Sequence, residues 1–215
     1  HNALYKWVTK GELPEEQPYN RIIIGMNKAM KAEDSETVAQ LVREYKLPLE
    51  CIPTNKRTAP VWKEVLPNLG FWALIRNLGN LSKVGVLNTN NFDIMDYILS
   101  KITDPGQIQR SRLHPLHFLS ANLTYSSGKG VKGHGEWEPV VSIVDALEKG
   151  FYLAFKNIIP TNQRILLALD VSSSMGSGTV GGAVGLTPAL ASAALSLVTL
   201  KTESNVLTCA FADEF

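Results

Sequence analysis

The feature that most limits what this chain can fold into is the apolar run from Arg164 to Val171, Arg-Ile-Leu-Leu-Ala-Leu-Asp-Val, in which polar and apolar residues do not alternate. That pattern predicts a strand buried on both faces, the kind found in parallel sheets. A glycine-rich loop follows it, then a helix predicted from Pro188 to Lys201, then a second strand, Asn205 to Phe211. Strand, helix and strand in this order form a β-α-β unit, whose two strands run parallel across the helical crossover. Two strands cannot support a sheet alone, so residues 161–215 are expected to be the first part of an incomplete α/β domain.

Residues 1–160 carry a different pattern, of short helices separated by turns. Asp34 or Ser35 caps a helix running to about Lys46, with Val38, Leu41, Val42 and Tyr45 on one face. Pro48 and Pro53 mark a loop containing Thr54-Asn55-Lys56-Arg57, and Ala59-Pro60 opens the next helix. The helix after Gly70 carries Leu74, Ile75 and Leu78 and is expected to stop at Gly79. Phe92 to Ile102 is amphipathic, with Phe92, Met95, Ile98, Leu99 and Ile102 on its apolar side. Asp104-Pro105 is a cap and first-position pair for a further helix, and another runs from His114 to Tyr125. Pro139 to about Ile158 is expected to be the longest. Stacked helical pairs of this kind predict an α-solenoid, in which each pair buries its face on its neighbours.

Composition narrows the function classes only slightly. The chain has 215 residues, 45% hydrophobic and 19% charged, which is enough apolar material for a packed core. A net charge of +1 gives no global attraction to nucleic acid, so any basic surface has to be local. Cys51 and Cys209 lie far apart, with no second Cys or His at ligand spacing, and predict two buried thiols in a reducing compartment. With no signal-peptide pattern in His1 to Lys6, a cytoplasmic location is expected. Gly176 to Leu200 lacks charge and is long enough to span a bilayer, but Gly176, Gly178, Gly181, Gly182, Gly185 and Pro188 break it, so a loop and a buried helix fit better.

Asp170, Ser172 and Ser174 have the spacing Asp-x-Ser-x-Ser at the carboxyl end of the first predicted strand. One carboxylate and two hydroxyls converging from a turn are hard oxygen donors suited to Mg²⁺, which keeps several waters and so leaves room for a partner's oxygen. Ligands of open α/β sheets also bind outside the carboxyl ends of the strands. The plain alternative is a polar turn whose hydroxyls satisfy backbone groups. Gly176-Ser177-Gly178-Thr179-Val180-Gly181 also fits G-x-G-x-x-G, but four residues, Ser172 to Met175, separate it from the strand end. Asp213 lies too far beyond Gly181 to be that fold's ribose-binding acid.

Residues 101–134 carry Lys101, Arg110, Arg112, Lys129 and Lys132 against the single acid Asp104, together with His114, His117 and His134. Cations beside hydroxyls and amides hold phosphates, and histidine or tyrosine stacks on unpaired bases. An ordinary solvated face is the alternative, and for His114 and His117, which share a helix face, a buried carbonyl to satisfy. Zinc does not fit, with neither a cysteine nor a third ligand at suitable spacing.

Several stretches in one order resemble the TROVE-domain proteins, the Ro ribonucleoprotein autoantigen family and its bacterial relatives. They are Leu74-Ile75-Arg76-Asn77-Leu78-Gly79, Arg112-Leu113-His114-Pro115-Leu116-His117, Thr124-Tyr125 with Gly128-Lys129-Gly130-Val131-Lys132-Gly133 and Trp137, Ile165 to Met175, and Phe211-Ala212-Asp213-Glu214. The resemblance implies a mainly α fold: HEAT-like α-solenoid repeats over residues 1–160, followed by an incomplete α/β von Willebrand factor A-like domain over residues 161–215. It implies a non-enzymatic RNA-binding role in RNA quality control. Family members bind small non-coding Y RNAs on the outside of a ring and take single-stranded ends of misfolded RNAs through its hole, and bacterial members tether an exoribonuclease through the Y RNA.

Carried over by position, RNA contacts fall on Arg43 and on the loop holding Lys56 and Arg57, with Arg76, Arg110, Arg112 and His117 as further candidates. Some relatives have histidine where Lys56 stands, a change that a phosphate contact survives. The family's metal site is completed by a later Thr and Asp, expected to fall beyond this chain, so Asp170 would be the sole carboxylate and Mg²⁺ affinity weak. Three functions follow as expectations: binding of small and misfolded RNA, metal-dependent adhesion through a partner's Asp or Glu at Asp170, and nucleotide chemistry at the glycine loop.

Overall fold

The computed structural model describes residues 2–15, 17–88, 90–130 and 135–212. Helices dominate up to residue 157: α1 (Asn2–Lys10), α2 (Arg21–Lys31), α3 (Ser35–Tyr45), α4 (Ala59–Val65), α5 (Phe71–Lys83), α6 (Phe92–Thr103), α7 (Pro105–Ser111), α8 (Pro115–Ser126) and α9 (Val141–Leu153). The strand–helix–strand unit follows as β1 (Ile165–Asp170), α10 (Pro188–Thr202) and β2 (Val206–Phe211). The strands pair in parallel, with Ile165 opposite Val206 and Asp170 opposite Phe211, as the crossover requires. Packing gathers residues 1–70 and 84–86 into one compact unit and residues 71–83 and 87–215 into another. These units follow contacts, whereas the expected boundary at residue 160 follows a change in sequence pattern.

In the first unit, α2, α3 and α4 pack on Val38, Val42, Tyr45, Val61 and Trp62, all buried. Asp34 is the N-cap of α3, its carboxylate accepting from the Thr37 N–H at 2.8 Å and the Thr37 hydroxyl at 2.6 Å. Tyr45 crosses α2 at Gly25, where a Cβ would stand 2.5 Å from the tyrosine side chain. The second unit repeats this device: Phe118 lies against Gly150, and Trp137 against Gly79. In each case a glycine inside a helix lets an aromatic ring approach the backbone, at a helix-propensity cost of about 1 kcal/mol.

The structure corrects several expectations. Gly79 does not end its helix, since α5 continues to Lys83; the glycine is there for close approach. Phe92 is not on the buried side of α6 but 77% exposed. The helix predicted from Pro139 to Ile158 is shorter, Val141–Leu153 with a 3-10 turn after it, and the 15-residue α10 is longer. The start of α9 is delayed because the Val140 N–H donates to the Tyr125 hydroxyl at 3.2 Å, and Val140 is extended. β1 is not buried on both faces, as Leu166 is 61% exposed and its neighbour Leu207 on β2 69%. Cys209, on the same sheet, is exposed rather than buried, while Cys51 is half-buried and burial raises its thiol pKa. Among the described residues no helix is long and apolar enough to cross a membrane.

Candidate metal centre and nucleic-acid interface

Asp170 closes β1, and the ladder extends one step beyond it, with the Val171 N–H donating to the Phe211 carbonyl at 2.9 Å. The chain then turns sharply: the Ser172 N–H donates to Asp170 Oδ1 at 2.9 Å, and Ser173–Gly176 form a 3-10 turn. This folds the Ser172 and Ser174 hydroxyls to within 3.1 Å of each other. The Ser172 hydroxyl and N–H together hold the Asp170 carboxyl below its ordinary value, so it is anionic at neutral pH. One carboxylate and two hydroxyls thus sit together at a strand end, a donor set that fits a hard divalent cation at three of its six positions. Among the described residues no three His, Cys, Asp or Glu side chains gather as a metal site, and this cluster has Asp170 as its one carboxylate.

The glycine loop does not lead into a helix as a dinucleotide turn does. Gly178, Gly181, Gly182 and Gly185 all have positive φ, the Val180 N–H donates to the Leu186 carbonyl at 2.7 Å, and α10 starts only at Pro188. Ala183, Leu186 and Ala191 form a small core against Leu119 and Leu123 of α8. Ahead of the strands, Glu203 clamps the entry to β1, its carboxylate accepting from the Thr161 N–H at 2.6 Å and the Asn162 N–H at 3.0 Å.

The basic residues fall in both units. In the first, Arg43 forms a two-pronged ion pair with Glu64, Nε to Oε2 at 2.8 Å and Nη2 to Oε1 at 2.5 Å. Hydrogen bonding and the arginine's charge hold the Glu64 carboxyl below its usual range. Lys56 is a helix cap: its ammonium donates to the carbonyls of Ala29 at 3.1 Å, Met30 at 2.5 Å and Ala32 at 2.7 Å, at the C-terminus of α2. Three donors meet three carbonyls left over at a helix end, where a cation is also favoured by the helix dipole. Arg57 Nε donates to the Ile52 carbonyl at 2.9 Å. The sequence shows a basic loop here; the engagement of each cation was not legible in it.

In the second unit Arg110 and Arg112 are exposed around the end of α7, Arg110 donating to Gln107 Oε1 at 2.9 Å and Arg112 in the left-handed region at φ 53°. His114 is the N-cap of α8, accepting from the Leu116 N–H at 3.2 Å. Burial, then the charge of His117, lowers its pKa, which favours the neutral acceptor form. His117 is exposed, meets Trp72 edge-on with ring centroids 5.0 Å apart, and has Nδ1 3.2 Å from the His114 carbonyl. Arg76, one helical turn beyond Trp72 on α5, lies 6.0 Å from the same indole. Lys132 and His134 lie outside the described residues. Trp72 joins Arg76 to His117, a link between α5 and α8 that neither segment's sequence contains.

A helical-repeat segment running into a β-α-β unit with Asp-x-Ser-x-Ser at its first strand end defines a protein of the helical-scaffold and von Willebrand factor A-like class. The TROVE domain family matches residues 28–163, and the Ro60 vWA domain family matches residues 164–215. RNA-binding protein RO60 of Deinococcus radiodurans is 47% identical over 215 residues, covering 100% of this chain and 40% of that protein. RNA-binding protein RO60 of Caenorhabditis elegans is 36% identical over 205 residues, 94% of this chain and 31% of that one. The crystal structure of the Deinococcus radiodurans RO (RSR) protein superposes with a TM-score of 0.92 at 47% identity, covering 100% of this chain and 43% of that one. The chain therefore belongs to the TROVE-domain family of Ro proteins, with a mainly α, HEAT-like solenoid followed by an incomplete von Willebrand factor A-like domain. It spans well under half the length of these relatives.

Proposed function

We propose that the protein binds RNA without catalysing a reaction on it, recognising small non-coding, Y-like RNA and the unpaired ends of misfolded RNA in cytoplasmic RNA quality control. The observation that carries this reading is similarity, over the whole chain in one case and 94% of it in the other, to two relatives whose names state RNA binding. Exposed Arg76, Arg110, Arg112 and His117 in the second unit supply the phosphate and base contacts, with Arg43, Lys56 and Arg57 contributing positive charge in the first. An exoribonuclease would join as a partner through the bound RNA rather than through the protein. The test is electrophoretic retardation of a small structured RNA by the intact protein. Retardation at low salt that weakens as salt rises supports the reading, and none at low salt overturns it.

The strand-end oxygen cluster favours a second role that can coexist with the first. Asp170, Ser172 and Ser174 would hold Mg²⁺, leaving positions open for a partner's Asp or Glu, so that a protein docks through the metal. When bound, the ion would supply a positive site for that carboxylate. Partner capture that is lost on chelation and in Asp170→Ala supports this role, and capture unaffected by both rejects it.

A further inference from the structure

α8 opens on two histidines whose Nδ1 atoms have opposite needs. The Leu116 N–H, a donor in every state, meets His114 Nδ1 at 3.2 Å, so that nitrogen must keep its lone pair. The His114 carbonyl, an acceptor in every state, lies 3.2 Å from His117 Nδ1, so that nitrogen must carry a hydrogen. His114 meets its need only as the neutral Nε2–H tautomer. His117 meets its own either as the neutral Nδ1–H tautomer or as the imidazolium.

Pro115, at the first helical position, has no N–H, so the first amide that the helix leaves over is that of Leu116, and the His114 ring takes it. The backbone around the ring is held independently. The His114 carbonyl accepts from the His117 N–H at 2.9 Å, and Asn157 Nδ2 donates to the carbonyls of Ile108 at 3.1 Å and Leu113 at 2.8 Å. The bond from Leu116 to the ring is therefore the one contact at this corner that a proton on His114 abolishes.

An imidazolium at position 114 would also be poorly received. It would stand at the positive end of the α8 dipole. Partial burial lowers the His114 pKa, and the charge of His117 lowers it further. The charged groups on the segments around this corner are mostly cations: Arg110 and Arg112 at the end of α7, Arg76 on α5, which shares Trp72 with His117, and Lys156 in the turn that holds Asn157. On α9, Glu148 and Lys149 are exposed, and α10 carries no charge from Pro188 to Leu200.

We infer that the start of α8 is an acid-sensitive catch: neutral His114 holds the first turn closed, and protonation of His114 releases it. Release loosens the turn that carries His117, and with it the edge contact between that ring and Trp72 of α5. Nothing in the catch requires bound RNA. Because the closed turn keeps His114 neutral, the open turn binds the proton more readily, and acid favours opening. The effect sets in as pH falls through the ordinary histidine value of about 6.5 and levels off below the value in the closed turn.

The test is amide hydrogen exchange of the intact protein from about pH 7.5 to about pH 5, read as protection of the Leu116 amide and those after it relative to their intrinsic rates. In the parent this protection is expected to fall about tenfold in acid. His114→Asn keeps a cap that accepts from the helix and does not titrate, so its protection should match the parent at about pH 7.5 and stay level. His117→Gln removes the opposing charge, so the fall should begin at higher pH. A fall of the same size in His114→Asn and the parent, or none in the parent, overturns the catch. A second measurement needs no variant: nitrogen NMR of the His114 ring at about pH 7.5 should show the Nε2–H tautomer. An Nδ1–H tautomer or an imidazolium there overturns the catch as well.

Discussion

The indole of Trp137 rests on Gly79, in the middle of α5, so closely that a Cβ at that glycine would stand 2.7 Å from the ring. Two segments far apart in sequence are thereby locked ring to backbone. Gly79→Ala is expected to destabilise the protein by about 1–3 kcal/mol through overpacking, against the gain of up to about 1 kcal/mol that alanine brings to an unobstructed helix. Denaturant unfolding of Gly79→Ala, Trp137→Ala and the double variant checks this. In the Trp137→Ala background the Gly79→Ala change should cease to destabilise; a penalty of the same size in both backgrounds contradicts the contact.

Lys56 lies in the loop where position alone implies an RNA contact, yet its ammonium closes the end of α2. Lys56→Met should lower stability by about 1–2 kcal/mol, the range for hydrogen bonds from a charged donor discounted for partial exposure. Denaturation of the variant in the absence of RNA reads the effect directly. An unchanged midpoint would return Lys56 to the solvent.

Arg43 is held by Glu64, and an RNA phosphate would have to compete with that carboxylate. Glu64→Gln removes the competing charge, so RNA affinity at low salt should rise about two- to fivefold if Arg43 faces the RNA. Unchanged affinity in Glu64→Gln, together with unchanged affinity in Arg43→Gln, would remove Arg43 from the interface.

Glu203 has a pKa held below its ordinary value, first by the Thr161 N–H and then by the Thr161 hydroxyl and the Asn162 N–H. A carboxylate with a lower pKa in the folded than in the unfolded state stabilises the fold above its unfolded value. That contribution disappears as pH falls through the folded pKa. The parent should therefore be more stable than Glu203→Gln at neutral pH, and the two should converge in acid. A constant difference across the titration contradicts the clamp. Asp170, also lowered, works in the same direction.

The parts of this molecule that sequence revealed are those with local causes. Asp-x-Ser-x-Ser folds back on itself over five residues, so its spacing alone placed Asp170, Ser172 and Ser174 together. Asp104 caps α7 through the Gly106 N–H at 2.7 Å, and the crossover made β1 and β2 parallel. What escaped has a distant partner. Gly79 looked like a stop because Trp137 is remote, Val140 looked helical because Tyr125 was not in view, and Arg43 and Lys56 looked available because Glu64 and the α2 carbonyls lie elsewhere in the sequence. The exposed apolar residues Leu166 and Leu207 show the same limit from the other side: pattern reports what a strand is suited to bury, not what covers it.

On the proposed metal role, Mg²⁺ should raise the thermal midpoint of the intact protein and fail to do so in Asp170→Ala, because an ion that binds only the folded oxygen cluster stabilises the folded state. A midpoint that shifts equally in both proteins places the ion elsewhere.

RNA binding is tested most directly by the affinity of the intact protein for a small structured RNA across a salt series, compared with Arg110→Gln/Arg112→Gln. The parent is expected to lose affinity linearly in log–log form, and the double variant to bind more weakly with a slope shallower by about 2, one for each phosphate contact removed. A parent that shows no binding at low salt, or whose affinity is independent of salt, contradicts the account.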